Sequence, residues 1–461
     1  MKKTSRREFI ATTGVAAAGL AMNTSSLTAG SYKRILGANN KVRLGFIGVG
    51  NHGSLLLRTF MQHSDCEVAA LCDVYEPYLN RVRSGVDKKF LNIQGRPIPL
   101  LDEVFTNKVD LYRDYRKLLE DKTINAVVIA TPDHWHALQC IDACTAGKDV
   151  YVEKPLSMTV REGKAMVDAR NKNGRMVQVG LNRRGTAVYQ RLAKEIPQGK
   201  IGKVIVGRAA RRSNMYPNGI GKMKPEPPPA GLDWDMWLGP RSYRPYQYNI
   251  APYNFRWWSD YSSQMGNWGV HYMDVIRWLM GEEYPEYITA HGDKYVLDHD
   301  ADIPDTMHVT FEFASKKIIT FAIYETTGSN QFFPYGEIEL QGTKGNIFVQ
   351  RNGYRIFPSR PGQMQTWDKM IEEEEYSFND ESGPAQLSRN FLDCIKNRHL
   401  SLLSPVEEGH ISTCYSHFAN ISLKTGKRLH WDPGKEEFTN CREANDLLHY
   451  GYREPWKISG L

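Results

Sequence analysis

The sequence predicts an α/β amino-terminal domain on a parallel sheet, followed by an α+β domain on an open, mostly antiparallel sheet. Three observations carry this. The chain has 461 residues, more than one hydrophobic core usually serves. Strand-like and helix-like segments alternate from Val42 to Gly180, which implies parallel strands joined by right-handed crossovers. Strand-like segments then follow one another from Tyr287 to Gln350, a pattern of antiparallel pairing.

Val42–Ile47 reads as a strand, Asn51–His63 as a helix and Glu67–Cys72 as a strand. Tyr75–Tyr115 is less regular, contains Gly95-Arg96-Pro97 and reads as an insertion. Helices at Tyr115–Leu119, Trp135–Ala146 and Val160–Asn173 then alternate with strands at Ala126–Ala130, Asp149–Val152 and Met176–Gly180. The first domain is placed at residues 40–170 and the second at 171–461. Beyond residue 200 the character changes. Pro225–Pro229 with Gly231 marks a loop, and residues 231–258 are dense in Trp, Tyr and Pro. Strands follow at Tyr287–Ala290, Thr306–Phe313, Ile318–Tyr324, Tyr335–Gln341 and Asn346–Gln350, then helices at Leu387–Lys396 and Val406–Gly426.

Of the formal charge of +7, only +2 belongs to residues 41–461, because residues 1–40 hold six basic residues and one acidic residue. A nearly neutral body gives no electrostatic reason to expect nucleic acid. Ser5-Arg6-Arg7-Glu8-Phe9-Ile10 precedes the apolar stretch Ala11–Met22, too short for a permanent membrane span. Residues 1–31 therefore read as a twin-arginine export signal, cleaved near Ala21 or Ala29, with a periplasmic or otherwise exported destination and no stable membrane anchor. The seven cysteines are odd in number and scattered, so buried free thiols are expected rather than a disulfide framework.

Gly48-Val49-Gly50-Asn51-His52-Gly53 joins the first strand to the first helix. The first glycine permits a tight turn, the second lets a pyrophosphate approach, and the third lets helix and strand pack closely. Asn51 and His52 begin the helix whose free N–H groups face the phosphates. Asp73 closes the second strand, where a carboxylate accepts the ribose hydroxyls and repels a 2′-phosphate. NAD is the expected cofactor, on a Rossmann domain. Thr131, Pro132 and His136 lie in Thr-Pro-Asp-His-Trp-His, at the carboxyl end of a strand and so at the ligand crevice. His134 and His136 lack a third ligand nearby, so no metal is expected. Glu153-Lys154-Pro155 follows the next strand, where the Lys154 ammonium favours a developing alkoxide.

These motifs, in this order and joined by Gly266-Asn267-Trp268-Gly269-Val270-His271-Tyr272-Met273-Asp274, resemble the Gfo/Idh/MocA family. The resemblance runs from Lys41 to the carboxyl terminus and includes Trp237-Leu238-Gly239-Pro240 and Gly342-Thr343-Lys344-Gly345. It implies an open, mostly antiparallel sheet in the second domain, subunits paired as a homo-oligomer, and a sugar or glycoside substrate. It assigns Lys154 and His271 as catalytic lysine and histidine. Asn267 stands where the family usually has aspartate, and an amide cannot accept a proton as a carboxylate does. Proton removal is accordingly assigned to His271, polarisation to Lys154, and support to Asn267 and Asp274.

Export implies a tightly held cofactor, because no free pool recharges it outside the cytoplasm. The first reading is hydride transfer at C3 of a sugar or glycoside. The second is an NAD-dependent glycosidase: C3 oxidation acidifies the C2 proton, the aglycone is eliminated, water adds, and C3 is reduced again. A third, motivated by Asn267, is a sugar-binding protein with structural NAD. Trp234, Trp237, Tyr243, Tyr246, Tyr248, Tyr253, Trp257 and Trp258 serve either as pyranose platforms or as core and interface.

Overall fold

The structure is a computed structural model describing residues 41–95, 101, 103–328, 336–378 and 383–458. The export segment, most of Gly95-Arg96-Pro97 and Tyr335 lie outside them.

Six parallel strands form the first sheet: β1 (Val42–Ile47), β2 (Cys66–Cys72), β3 (Asp110–Tyr112), β4 (Ala126–Ile129), β5 (Asp149–Val152) and β6 (Val177–Val179). Their order is β3-β2-β1-β4-β5-β6, so the winding reverses between β1 and β4, and the ligand crevice opens at their carboxyl ends. Every residue of β4 and β5 is buried, as strands covered on both faces require. Four helices flank them: α1 (Asn51–Met61), α2 (Tyr115–Glu120), α3 (His136–Thr145) and α4 (Val160–Asn173). Helix α4 starts with a reciprocal Thr159–Glu162 cap and stops at Gly174, whose φ of 59° suits glycine. β6 lies beyond residue 170, where the sequence reading ended this domain. The insertion after β2 contains short helical turns, including Glu76–Leu79 and Arg83–Gly85.

The second sheet has ten strands: β7 (Val204–Arg212), β8 (Tyr287–Asp293), β9 (Thr306–Glu312), β10 (Ile318–Tyr324), β11 (Ile338–Gly342), β12 (Gly345–Gln350), β13 (Gly353–Pro358), β14 (Glu374–Ser377), β15 (Leu429–Asp432) and β16 (Glu437–Phe438). Their order is β14-β13-β12-β11-β7-β10-β9-β8-β15-β16. β7 pairs parallel with β10 and antiparallel with β11, and the other pairings are antiparallel. The sequence suggested a simple meander from β10 to β11. Instead β7 lies between them, and its three arginines hid it from a reading based on apolar alternation.

Helices α5 (Ala187–Glu195), α6 (Val270–Met280), α7 (Gly383–Lys396) and α8 (Val406–Thr425) follow the first sheet. Ile276 of α6, Tyr415 and Phe418 of α8, and Phe311 and Phe321 of the sheet share one core cluster. At Gly207 of β7 a Cβ would stand 2.3 Å from Ile276 Cγ2, so the absent side chain lets α6 press onto the strand. Helix α7 packs back on the first domain, with Phe391 against Phe60 and Tyr151 at ring separations of 6.4 and 5.8 Å. All seven cysteines are free and buried. No helix of the described residues is long and apolar enough to cross a membrane.

Phe60 is fully buried and also meets Phe46 and Tyr151 edge-on at 5.9 and 5.6 Å. Phe60→Ala is expected to cost about 3–5 kcal/mol in urea unfolding. A loss below about 1 kcal/mol would show that the two domains do not depend on this cluster.

Candidate active site and cofactor cleft

The sheet ladder continues one residue past three strands. Ala130 N–H donates to Ile47 O at 2.8 Å, Glu153 N–H to Ile129 O at 2.9 Å, and Gly180 N–H to Val152 O at 2.8 Å. The loops after β1, β4, β5 and β6 thereby emerge at one level. Above them lies a cavity of about 570 Å³. Gly48, Gly50, Asn51, His52, Asp73, Thr131, Pro132, His136, Glu153, Lys154, Asn267 and His271 all line it. Gly53 and Asp274 do not.

Gly48 has φ of +83°, and a Cβ there would meet Thr131 N at 2.7 Å. A Cβ on Gly53 would stand 2.0 Å from Gly48 O, so this glycine acts beneath the cavity by letting α1 close on the turn. Helix α1 has no side-chain cap and no acidic residue in its first turn. Its leading N–H groups are therefore available to an anion. Asp73 accepts from the N–H groups of Val49 and Tyr75, both at 2.9 Å, while burial pushes its carboxyl above its ordinary value. Arg81 clasps the same turn from the insertion. It donates to Val49 O at 2.6 Å and Ser54 Oγ at 2.8 Å, and Glu103 pairs with it at 2.8 Å. The central residue of the turn is thus held at both its N–H and its C=O. These features fit a dinucleotide, with diphosphate at α1 and ribose at Asp73.

His52 reaches Glu153 at 2.9 Å, joining the glycine loop to the lysine loop. Burial alone would raise the Glu153 carboxyl, but the charge and hydrogen bond of His52 outweigh it and hold it low. Lys154 Nζ donates to the backbone O of Asn267 at 2.8 Å, with the amide oxygen at 3.5 Å. Burial brings this ammonium down to about 8, although Glu153 and Asp133 pull the other way. Asn267 lies in a wide turn, Met265–Gly269, that leads into α6. His271 follows in the first turn of α6, 8% exposed. Burial, then the charges of Lys154, Arg183 and Arg351, hold its imidazole well below its ordinary value. Its Nδ1 has no hydrogen-bond partner among the described residues.

Other residues at the crevice act as braces. His136 places its ring nitrogens 2.7 Å from Pro155 O and 3.0 Å from Thr131 O, so it spaces two loops. Thr131 Oγ1 donates to Gln139 at 2.7 Å. His134 is buried against Trp237 O at 2.9 Å. Asp274 was expected to support His271 directly. It instead pairs with Arg184 at 2.8 Å and accepts from Ser412 Oγ at 2.7 Å. Arg184 also pairs with Glu408 at 2.7 Å, which ties α6 to α8. Asp274 therefore fixes the helix and not the imidazole.

Of the eight aromatic candidates, Trp237 and Tyr253 line the cavity. Trp234, Tyr246, Tyr248, Trp257 and Trp258 are buried, and Tyr243 is exposed. The sequence reading missed Tyr78, Asn182, Arg256, Trp268 and Arg351, which also line the cavity. Asn182 was accessible to the rule that singled out Lys154, since it follows the carboxyl end of β6. The two arginines arrive from the second domain with no motif to mark them.

Fold and site together define a dinucleotide-binding α/β protein with a second domain whose α6 closes the crevice. Residues 42–181 match the family model described as oxidoreductase family, NAD-binding Rossmann fold, and residues 190–458 match oxidoreductase family, C-terminal alpha/beta domain. The chain belongs to the Gfo/Idh/MocA family, and its first domain is that family's NAD-binding domain. A glycosyl hydrolase family 109 protein of Shewanella sp. (strain ANA-3) and an alpha-N-acetylgalactosaminidase of Shewanella oneidensis are each 31% identical over 218 residues. These matches span 44% of this chain and 45% of each relative, a little under half of either. Among solved structures, the WlbA dehydrogenase from Bordetella pertussis, in complex with NADH and UDP-GlcNAcA, aligns with a TM-score of 0.60 at 19% identity. A levoglucosan dehydrogenase in complex with NADH and levoglucosan aligns at 0.61 and 18%. Both alignments cover 85% of this chain and 99% of the other.

Asp73→Ala removes one anchor of the glycine turn and the carboxylate placed to suit a ribose. It is expected to weaken NAD binding at least about tenfold, the loss of roughly one charged hydrogen bond. Titration of the quenched tryptophan emission reads this directly. Unchanged affinity would remove Asp73 from the cofactor site.

Proposed function

We propose that this chain is an NAD-dependent oxidoreductase transferring hydride at C3 of a sugar or glycoside, with its nicotinamide cofactor tightly held. One observation carries the reading: Lys154 and His271 both line the cavity that the glycine turn also lines. Retention of the cofactor is supported by the contacts that wall the cavity's other end. Tyr75 bridges to Leu232, Phe90 packs on Tyr248 at 5.4 Å, and Tyr248 donates to Asp87 at 2.7 Å. The leader supports export by the twin-arginine route, after folding and loading in the cytoplasm.

Bound NAD supplies the hydride acceptor and, later, the donor. His271, kept neutral by burial and its cationic neighbours, takes the hydroxyl proton at a ring nitrogen. Lys154, steadied on the Asn267 carbonyl, donates to the oxygen as negative charge develops there. Trp237 and Tyr253 offer aromatic surface to a pyranose face. The family 109 relatives favour a second reading, in which the same two residues serve oxidation, elimination of the aglycone, hydration and re-reduction, giving net hydrolysis.

Lys154→Met or His271→Ala is expected to lower kcat/KM about 10²–10⁴-fold while NAD binding persists. Because the protonated lysine stabilises the oxyanion, activity should decline as pH rises through about 8, where Lys154 loses its proton. Lys154→Arg should move that decline upward. Incubation with aryl glycosides separates the two readings. A keto-glycoside with reduced nicotinamide supports the oxidoreductase, and released aglycone without net reduction supports the glycosidase. If neither product forms and the Lys154 variants behave as the parent, the site is not catalytic.

A further inference from the structure

We propose that residues 231–240 form a strap across the nucleotide crevice, and that Arg453 and Trp456 lock this strap and so set how fast NAD enters and leaves. The inference rests on the reading of the cofactor as tightly held and deepens it. At one end the strap is fastened to the loop after β2. Glu76 N–H donates to Gly231 O at 3.0 Å, Asp233 N–H donates to Val74 O at 2.9 Å, and Leu232 bridges to Tyr75. At the other end it is fastened to the loop after β4. There His134 Nε2 lies 2.9 Å from Trp237 O, and Trp135 Nε1 donates to the same oxygen at 3.1 Å. β1 lies between β2 and β4 in the sheet. A segment fastened to both flanking loops therefore crosses the crevice at the glycine turn that follows β1. Leu232, Met236 and Trp237 of this segment line the cavity, so a dinucleotide seated on the turn has to pass them to leave.

The second fastening is held from outside by residues far along the chain. Arg453 donates its backbone N–H to Pro240 O at 2.9 Å. Its guanidinium donates to Gly239 O at 3.1 and 3.0 Å and pairs with Asp235 at 2.6 Å. Trp456 is buried, edge-on to Trp135 at 4.8 Å, with Arg116 of α2 stacked 4.8 Å from its ring centre. Gly239 lies so close to Trp135 that a Cβ there would stand 2.2 Å from the indole. The lock has its own footing on α4, where Arg161 N–H donates to Leu448 O at 3.1 Å and the Tyr452 hydroxyl donates to Glu162. Lifting the strap from the β4 side must therefore break the Arg453 fork, and hydrogen bonds from a charged donor are the strong ones.

Neither Arg453 nor Trp456 lines the cavity. They act through the strap, as positioning residues. A cover that must open for both entry and exit has a kinetic signature: weakening its lock raises both rates, while their ratio changes less.

The test uses the full chain, with NAD and its fluorescent etheno analogue as probes. Stopped-flow mixing of the NAD-free chain with the analogue reads entry, and mixing of the analogue-loaded chain with excess NAD reads exit. Arg453→Ala and Trp456→Ala should each raise both rates about tenfold or more, as loss of one charge-assisted contact allows, while the dissociation constant moves by less than about threefold. Arg453→Lys keeps the charge and loses the fork, and should fall between. Gly239→Ala pushes the strap off Trp135 without touching the lock, and should match the alanine variants. Faster exit with unchanged entry marks mere damage to a binding site and overturns the proposal. Parent rates in both Arg453→Ala and Gly239→Ala also overturn it. If Arg453→Ala or Trp456→Ala fails to fold, Arg453→Lys and Gly239→Ala decide by the same rates. A parent that sheds NAD during gel filtration overturns tight retention and the lock together. Retention by the parent with unaltered variants overturns the lock alone.

Discussion

A buried ammonium seated on a carbonyl is the constraint from which the site follows. Lys154 leaves the carboxyl end of β5, and Asn267 belongs to the turn that begins α6. The bond between them therefore joins the two domains at the cavity. A carboxylate at that place would have neutralised the charge and kept the amine protonated to high pH. A carbonyl satisfies one donor without neutralising the charge, so burial outweighs the more distant pull of Glu153 and Asp133 and depresses the amine. The same choice keeps the neighbouring imidazole surrounded by positive charge and neutral. The two side chains thus differ in charge, and neither is hydrogen-bonded to a carboxylate among the described residues.

Much of this was legible in the sequence, and the legible part shares one property. Gly48, Gly50, Asp73 and Lys154 each owe their place to the carboxyl end of a nearby strand, where local spacing determines geometry. The alternation of strands and helices was readable for the same reason, because parallel strands buried on both faces appear as apolar runs. What the sequence concealed depends on partners far along the chain. Arg81 secures the glycine turn only because Glu103 and Ser54 gather around it. Arg351 reaches the cavity only because β12 and β13 meet their neighbours in register. β7 escaped notice because three of its nine residues are arginines. Asp274 misled for a related reason, since proximity to His271 along the helix does not say which packing partner claims the carboxylate.

Buried ion pairs carry a desolvation cost, so those around α6 are better understood as devices of position than as sources of stability. Arg184, Asp274, Glu408, Arg277 and Ser412 form a connected set between the turn after β6, helix α6 and helix α8. Removing one member would strand the others in a low-dielectric interior. The set holds the helix bearing His271 in one rotation, while Gly207 lets the opposite face of that helix rest on the sheet.

The place of β7 in the second sheet has a consequence for biosynthesis. This strand is made early, yet its two neighbours, β10 and β11, leave the ribosome roughly a hundred residues later. Until then its edges find no lateral partners, and the nascent chain must hold an arginine-rich ribbon without a mate. The nucleotide domain waits less, since β2 follows β1 directly and β4 completes the other flank of β1 well before β10 is made. Assembly is therefore staged, with the half that receives the cofactor complete first and the half that closes over it completed only near the end of translation.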